Sequence, residues 1–413
     1  MNTRIPFVAL ASAFFSFPAL AADWPQFRGP LGNGVSTEKG LPIQWSETKN
    51  IAWKQEIPGK GWSSPALVKG RLYLTTAVLA DDKLSQRALC INAKDGKPVW
   101  DVEIFARDSA SVPGIHGKNS HASPTPLVDG GKLYVHFGHQ GTACLDLDGN
   151  ILWKTQELVF PPVHGNGNSP VLVDGLLVFS CDGASNPFVA ALDAATGNVQ
   201  WKFARESDSG KKFAFATCIA ITVGGKKQVI SPGAGVVNAL DPKTGKEIWR
   251  VTYDGYSVIP RPVFGHGLVY MSTGYDSPSI LAIRPDGQGD VTDSHVEWTL
   301  KKGAPHTPSP LLVGNELYLV SDGGIATCVD AKTGEVHWSE RIGTKYSASP
   351  VFADGRVYCQ DEDGKGIVLK AGRTFQKLGE NGFGEPSLAS YCVGDGAFFV
   401  RTEKHLYRVA TSK

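Results

Sequence analysis

The 413-residue chain carries 41 basic and 40 acidic residues, a formal charge of +1, so it lacks the basic surplus that nucleic acid or an acidic membrane surface attracts. With 47 glycines and no sustained 3.6-residue apolar period, it is too turn-rich and strand-patterned for a helical solenoid. The first element, Met1 to Ala21, joins one basic residue, Arg4, to an apolar stretch ending Ala19-Leu20-Ala21, the pattern of a cleaved secretory signal peptide. No cysteine follows the cleavage region, and no later segment is long enough to span a bilayer. The expectation is a periplasmic or secreted protein without a lipid anchor.

Residues 22–50 are rich in Gly and Pro and carry Trp24, Phe27 and Trp45, aromatic anchors that predict docking onto the domain that follows, residues 51–413. Asn50 to Glu56 reads as an outer strand with no inner partners of its own. From there the chain repeats. The frame ALDAATGNVQW, Ala191 to Trp201, returns as Cys90 to Trp100, Cys144 to Trp153, Ala239 to Trp249 and Cys328 to Trp338, with a looser copy from Ala282 to Trp298. Tryptophans 53, 100, 153, 201, 249, 298 and 338 are thereby spaced by 40 to 53 residues, a period of propellers and solenoids.

Within the third copy, Ser169-Pro170 opens an apolar run, Asp174-Gly175 turns it, Leu176 to Phe179 and Val189 to Leu192 follow, and Val199-Gln200-Trp201 ends it: four short strands. In the turn, Asp193 can accept backbone N–H groups just ahead of it, and Gly197 supplies positive φ. The small residue that opens each frame leaves room for an indole, whose burial removes about 150–250 Å² from water. Strand starts at Ser64-Pro65, Ser123-Pro124, Ser169-Pro170, Thr217-Cys218, Arg261-Pro262, Ser309-Pro310, Ser349-Pro350 and Pro386-Ser387 give eight units. The seventh carries Phe375 and Leu378 where a tryptophan is due, and the eighth ends near Val409 after three strands. The predicted fold is all-β: an eight-bladed β-propeller of four-stranded antiparallel blades, closed by the N-terminal strand completing the last blade. Cys90, Cys144 and Cys328 take the place of alanine in the frame and no Cys-x-x-Cys pair exists, so the seven cysteines read as buried thiols.

The frame A-x-D-x-x-T-G-x-x-x-W, explicit in Ala191, Asp193, Thr196, Gly197 and Trp201 and again in Ala239, Asp241, Thr244, Gly245 and Trp249, resembles the tryptophan-docking repeat of the pyrroloquinoline-quinone-like propellers. The resemblance runs from about Ile51 to Val409 and implies two functional branches, quinoprotein dehydrogenases and a propeller that assists outer-membrane-protein assembly. The opening Trp24-Pro25-Gln26-Phe27-Arg28-Gly29-Pro30 also looks like the start of exported propellers of this superfamily. The dehydrogenase branch implies pyrroloquinoline quinone and calcium held by Glu, Asn and Asp, beside adjacent cysteines. No such cysteine pair and no matching Asn-Asp pair is found here.

Residues just before each innermost strand should gather at the channel mouth. They are Trp62, Asn119, His121, His164, Asn166, Asn168, Arg261, His306, Lys345, Tyr346 and Glu385, a polar ring suited to a ligand. His121, His164 and His306 would hold a metal only by converging within about 2.0–2.1 Å of one ion, which their spacing does not demand, so no metal is expected. Asp101 to Ser120, the longest connection between blades, is either a lid or a surface excursion, and Asp361 to Gly364 reads as an acidic turn. No nucleophile–base or metal signature is found. The sequence therefore predicts a monomeric binding or scaffold module with no cofactor, whose partner is an envelope protein or a small-molecule or carbohydrate ligand. The other reading is a quinoprotein-like oxidoreductase.

Overall fold

Every copy of the frame becomes a turn and the outer strand of a four-stranded antiparallel sheet in the computed structural model, which describes residues 23–411. The Met1 to Ala21 leader lies outside the described residues. Blades 1 to 7 span residues 66–108, 127–155, 171–204, 219–252, 263–300, 311–341 and 351–382. Blade 8 takes three strands from residues 392–410 and its outermost strand, Ile51–Glu56, from the other end of the chain. That strand runs antiparallel to His405–Ala410, with Trp53 opposite Arg408 and Glu56 opposite His405. The eight-bladed propeller predicted from the sequence is the fold.

Three local features differ from the expectation. Blade 2 opens at Thr125-Pro126 and blade 8 at Ser390-Tyr391, two and four residues beyond the predicted starts. Pro98–Asp108 is strand, so the first eight residues of the predicted twenty-residue connection belong to blade 1. In blade 5 the looser frame holds a short insertion: Gly289–Asp290 pairs in parallel with the outer strand of blade 4, and the helix Thr292–His295 precedes the strand of Trp298.

The joints between blades are built alike. Each frame tryptophan except Trp53, which faces Arg408, faces its own small residue across the strand pair, as Trp100 faces Cys90 and Trp201 faces Ala191. Its indole N–H donates to a carbonyl in the turn of the next blade: Trp53 to Ala93, Trp100 to Leu147, Trp153 to Ala194, Trp201 to Pro242, Trp249 to Pro285, Trp298 to Ala331 and Trp338 to Gly372, at 3.0–3.2 Å. Asp193 holds the receiving turn by accepting the N–H groups of Ala195 and Thr196 and the Thr196 hydroxyl. The glycine of the turn lies under the ring: a Cβ on Gly197 would come within 2.5 Å of Trp153, and φ there is +78°. All seven cysteines are buried free thiols.

These seven indoles serve seven joints, and the eighth, between blades 7 and 8, is filled from the N-terminal segment. Trp45 is buried with its ring 6.3 Å from Phe383 and 6.2 Å from Phe398, and its N–H accepts no role in the dock: the indole nitrogen has no hydrogen-bond partner among the described residues. Asn381 clamps this stretch, accepting the Trp45 backbone N–H at 2.8 Å and donating to the Ile43 carbonyl at 3.0 Å. Trp45 thus supplies the volume that the missing frame tryptophan would have supplied.

Glu385 completes the closure. Its carboxylate lies 3.1 Å from Lys54 of the N-terminal strand and 2.6 Å from His405 Nδ1, and accepts the hydroxyls of Thr402 and Tyr407 at 2.7 and 3.0 Å. Burial opposes its ionisation, but these hydrogen bonds outweigh burial and hold its pKa at about 2.

Trp45→Ala should lower unfolding free energy by about 3–5 kcal/mol, as a large core truncation does, read from urea titrations followed by tryptophan fluorescence. Glu385→Gln should cost about 2 kcal/mol near pH 7, the scale of hydrogen bonds to a charged group. Because the folded pKa lies below that of the unfolded chain, this contribution is present above about pH 4.5 and disappears as pH falls toward 2, so wild-type and variant stabilities should converge across that interval.

Candidate functional site

Seven hydroxyls and one guanidinium encircle the propeller axis, one from each blade: Ser64, Thr125, Ser169, Thr217, Arg261, Ser309, Ser349 and Ser390. The backbone N–H of each residue donates to the hydroxyl of the next blade at 2.9–3.1 Å, from Ser64 to Thr125 and onward, and Ser390 closes the circle onto Ser64. The single gap lies between Thr217 and Arg261, where the side chain offers no acceptor. Proline follows most of these positions, which leaves no second N–H to satisfy at the crowded axis.

Below this ring the N-terminal segment crosses the axis. Trp24 exchanges backbone hydrogen bonds with Leu67 of blade 1, and Pro25 accepts the N–H of Val128 of blade 2. Arg28 donates to the carbonyls of Ser309 and Pro310 of blade 6, and Gly34 and Ser36 pair with Phe352 of blade 7. Arg261 donates to the Phe27 carbonyl at 2.6 Å. The Phe27 side chain forms a floor, and above it a cavity of about 630 Å³ occupies the axial channel.

One side of this cup is an arc of rings. His116 meets His164 at 5.5 Å, His164 meets Phe213 at 5.3 Å and Phe213 meets Tyr256 at 5.7 Å, each edge to face. Tyr256 then lies 6.4 Å from Tyr275, which lies 4.8 Å from His306. Edge-to-face neighbours stabilise one another and form a rigid apolar wall. The connection after blade 1 leans over the mouth. His116 N–H and Asn119 Nδ2 donate to the His164 carbonyl, and Lys118 reaches blade 7 to pair with Glu362 at 2.7 Å. Of the two expectations for this connection, the geometry is that of a strap across the opening.

The predicted mouth residues part company here. Trp62, Asn119 and His164 line the cup. Asn168 is buried beside it, donating to the Ser180 carbonyl and to Asn166. The ring of His121 does not line the cup, and its carbonyl accepts Gln86. His306 supports the end of the arc, its Nδ1 3.5 Å from Asp322. Tyr346 is fully buried between blades 6 and 7, its hydroxyl 3.4 Å from the Ile342 carbonyl, and Lys345 uses its carbonyl to accept the Glu362 N–H. Arg261 lies beneath the floor, and Glu385 belongs to the blade 8 closure. The residue just before an inner strand therefore reaches the cup only where the loop turns inward.

Sequence reasoning missed Phe27, His116, Lys118, Lys211, Phe213, Tyr256 and Tyr275, all of which line the cup. Phe213 precedes blade 4 and obeys the rule that found the others. Tyr275 comes from the loop between the second and third strands of blade 5, which that rule omits. Asp361 to Gly364 is an acidic turn as expected, closed by the Asp361 carboxylate on the Lys365 N–H. Burial lowers the pKa of His121 and of His164, so both rings are neutral near pH 7.

The model of the family described as outer membrane protein assembly factor BamB, a pyrroloquinoline-quinone-like propeller family, matches residues 85–322 and 279–374. The chain belongs to this family. Its relatives include the tetrathionate hydrolase of Acidithiobacillus ferrooxidans, 25% identical over 79% of this chain and 64% of that protein. Subunit 1 of the methanol dehydrogenase of Methylobacterium organophilum is 32% identical over 33% of this chain and 24% of its own length. The BamB of Burkholderia pseudomallei is 24% identical over 78% and 68%. The chain thus spans less than two thirds of the first two. Among solved structures, BamB from Moraxella catarrhalis superposes with a TM-score of 0.62 at 12% identity, covering 88% of this chain and 97% of that one. The quinohemoprotein alcohol dehydrogenase of Comamonas testosteroni gives 0.54 at 13%, covering 95% and 81%.

Family membership raises the question of a calcium-held quinone. Calcium takes six to eight oxygen ligands, carboxylates prominent among them. No residue lining the cup is Asp or Glu, and no three His, Cys, Asp or Glu side chains cluster as a metal site among the described residues. The lining does not fit that group. No helix among the described residues is long and apolar enough to cross a membrane.

Arg261→Ala should release the crossing segment. Limited proteolysis should then cut between Trp24 and Asn33 at least about tenfold faster than in the wild type, as expected when a buried hydrogen-bonded charge is removed, while the propeller core remains resistant.

Proposed function

We propose that this protein is a non-catalytic binding module of the periplasm or cell envelope, with the axial cup as its ligand seat. One observation carries the reading: the chain's own Phe27, its carbonyl held by Arg261, lines an axial cavity of about 630 Å³ together with aromatic rings and hydroxyls. A seat of this size and lining suits a small molecule. Membership in a family whose model bears the name of an assembly factor supports a binding role in the envelope, and the expected leader sequence agrees with export. The partner is a small molecule in the cup, which leaves the outer faces of the blades for a protein.

An unbiased ligand screen by thermal shift tests this. A ligand that raises the melting temperature of the wild type and loses at least about tenfold in affinity in Phe213→Ala, where a stacking wall is removed, supports the reading. Robust turnover of the bound compound, or ligands that ignore the Phe213 substitution, would overturn it.

A second reading, quinoprotein-type oxidoreduction, has the methanol dehydrogenase relative in its favour and the carboxylate-free lining of the cup against it. Pyrroloquinoline quinone with calcium should then give a thermal shift and dye-linked alcohol oxidation. Absence of a shift at saturating cofactor removes it.

A further inference from the structure

The charges and hydrogen-bonding groups around the cup are one-sided, and this bears on what it holds, granted the reading of the cup as a ligand seat. Lys118 and Lys211 line it, and no carboxylate does. Beneath its floor Arg28 and Arg261 are both buried, and their hydrogen bonds go to the carbonyls of Asn33, Ser309, Pro310 and Phe27 rather than to any carboxylate. Two guanidiniums in a low-dielectric floor focus positive potential into the cavity above them.

The hydroxyl ring adds an independent observation. Ser64, Thr125, Ser169, Thr217 and Ser390 each accept a backbone N–H from the neighbouring blade. None of the five donates to an acceptor among the described residues, so each O–H proton is available to the cavity that these residues line. The hydroxyl donors and Lys211, which bonds to the Tyr256 hydroxyl, thus face the interior without a matching acid, whereas Lys118 is paired with Glu362. The carboxylates near the mouth already have partners: Glu362 pairs with Lys118 and Ser347, and Asp322 with His306 and Thr307.

We propose that the cup is a receptor for a small organic anion with a flat ring, a carboxylate or sulfonate. Its charged group is drawn by Lys211, Lys118 and the buried guanidiniums, its oxygens accept from the hydroxyl ring, and its ring lies against the His164–Phe213–Tyr256 wall. No divalent cation takes part. Glu362 is a restraint on this affinity, because it neutralises Lys118.

Isothermal titration of the full chain with naphthalene-2-sulfonate, uncharged 2-naphthol and inorganic sulfate tests the inference. The sulfonate should bind about tenfold or more tightly than naphthol, weaken with added salt and be indifferent to EDTA. Lys211→Ala should weaken the sulfonate about tenfold, the scale of a charge-assisted hydrogen bond, and weaken naphthol by much less, since Lys211 also holds the Tyr256 ring of the wall. Glu362→Gln, which frees Lys118, should tighten the sulfonate severalfold, a gain that a misfolded variant could not give. If naphthol and sulfonate bind alike and neither variant matters, the anion inference falls while the cup stands as a ligand seat. If sulfate binds as well as the sulfonate, the ring requirement falls. If neither organic probe binds although the general screen finds a Phe213-dependent ligand, the inference alone is overturned; if that screen also fails, both are.

Discussion

One contact recurs around the molecule and the rest depends on it: an indole N–H from the outer strand of one blade reaching the turn carbonyl of the next. It couples a directional hydrogen bond to the burial of a large ring, and therefore fixes both the distance and the angle between neighbouring sheets. Set once, the geometry would leave a curved array. Set seven times, it bends the sheets around an axis, and the small residue opposite six of the indoles and the turn glycine beneath five of them let the ring lie flat. The hydroxyl circle at the axis follows, because only equivalent blades bring equivalent serines and threonines into reach of one another.

The exception to the repeat is where the molecule acquires its particular character. Blade 7 has no tryptophan in frame, and the N-terminal segment that fills the joint is the one that crosses the axis and sets Phe27 in the cavity lining. Loss of symmetry at one joint and the making of a floor are the work of a single stretch of chain. Arg261 shows the same logic at smaller scale: it breaks the hydroxyl circle and uses its guanidinium to hold the Phe27 carbonyl.

How much of this was legible in the sequence followed from how local the signal was. The blades, their number and the completion of blade 8 by Ile51–Glu56 could be read because strand alternation, turn glycines and a 48-residue period are written in consecutive residues. The site was less so. Trp62, Asn119 and His164 were found, since they lie next to an inner strand and their loops turn inward. Glu385 and Tyr346 occupy equivalent positions, yet the former is drawn to Lys54 and the latter into the core, choices set by partners far away in the chain. The aromatic arc was invisible for the same reason: Phe213, Tyr256 and Tyr275 come from different loops and meet only in the closed structure.

The crossing segment has a consequence for the order in which the molecule can be assembled. Glu38 bonds to Gly396, 358 residues further along, and Ile51 must find Val409. An emerging chain makes its fastening piece first and the place that receives it last, with loop-closure entropy opposing the encounter until nearly all blades exist. Floor, last joint and circular closure then arrive together. A half-made molecule has no cavity at all, so a compound that occupies the cup selects finished chains from unfinished ones and stabilises only the former.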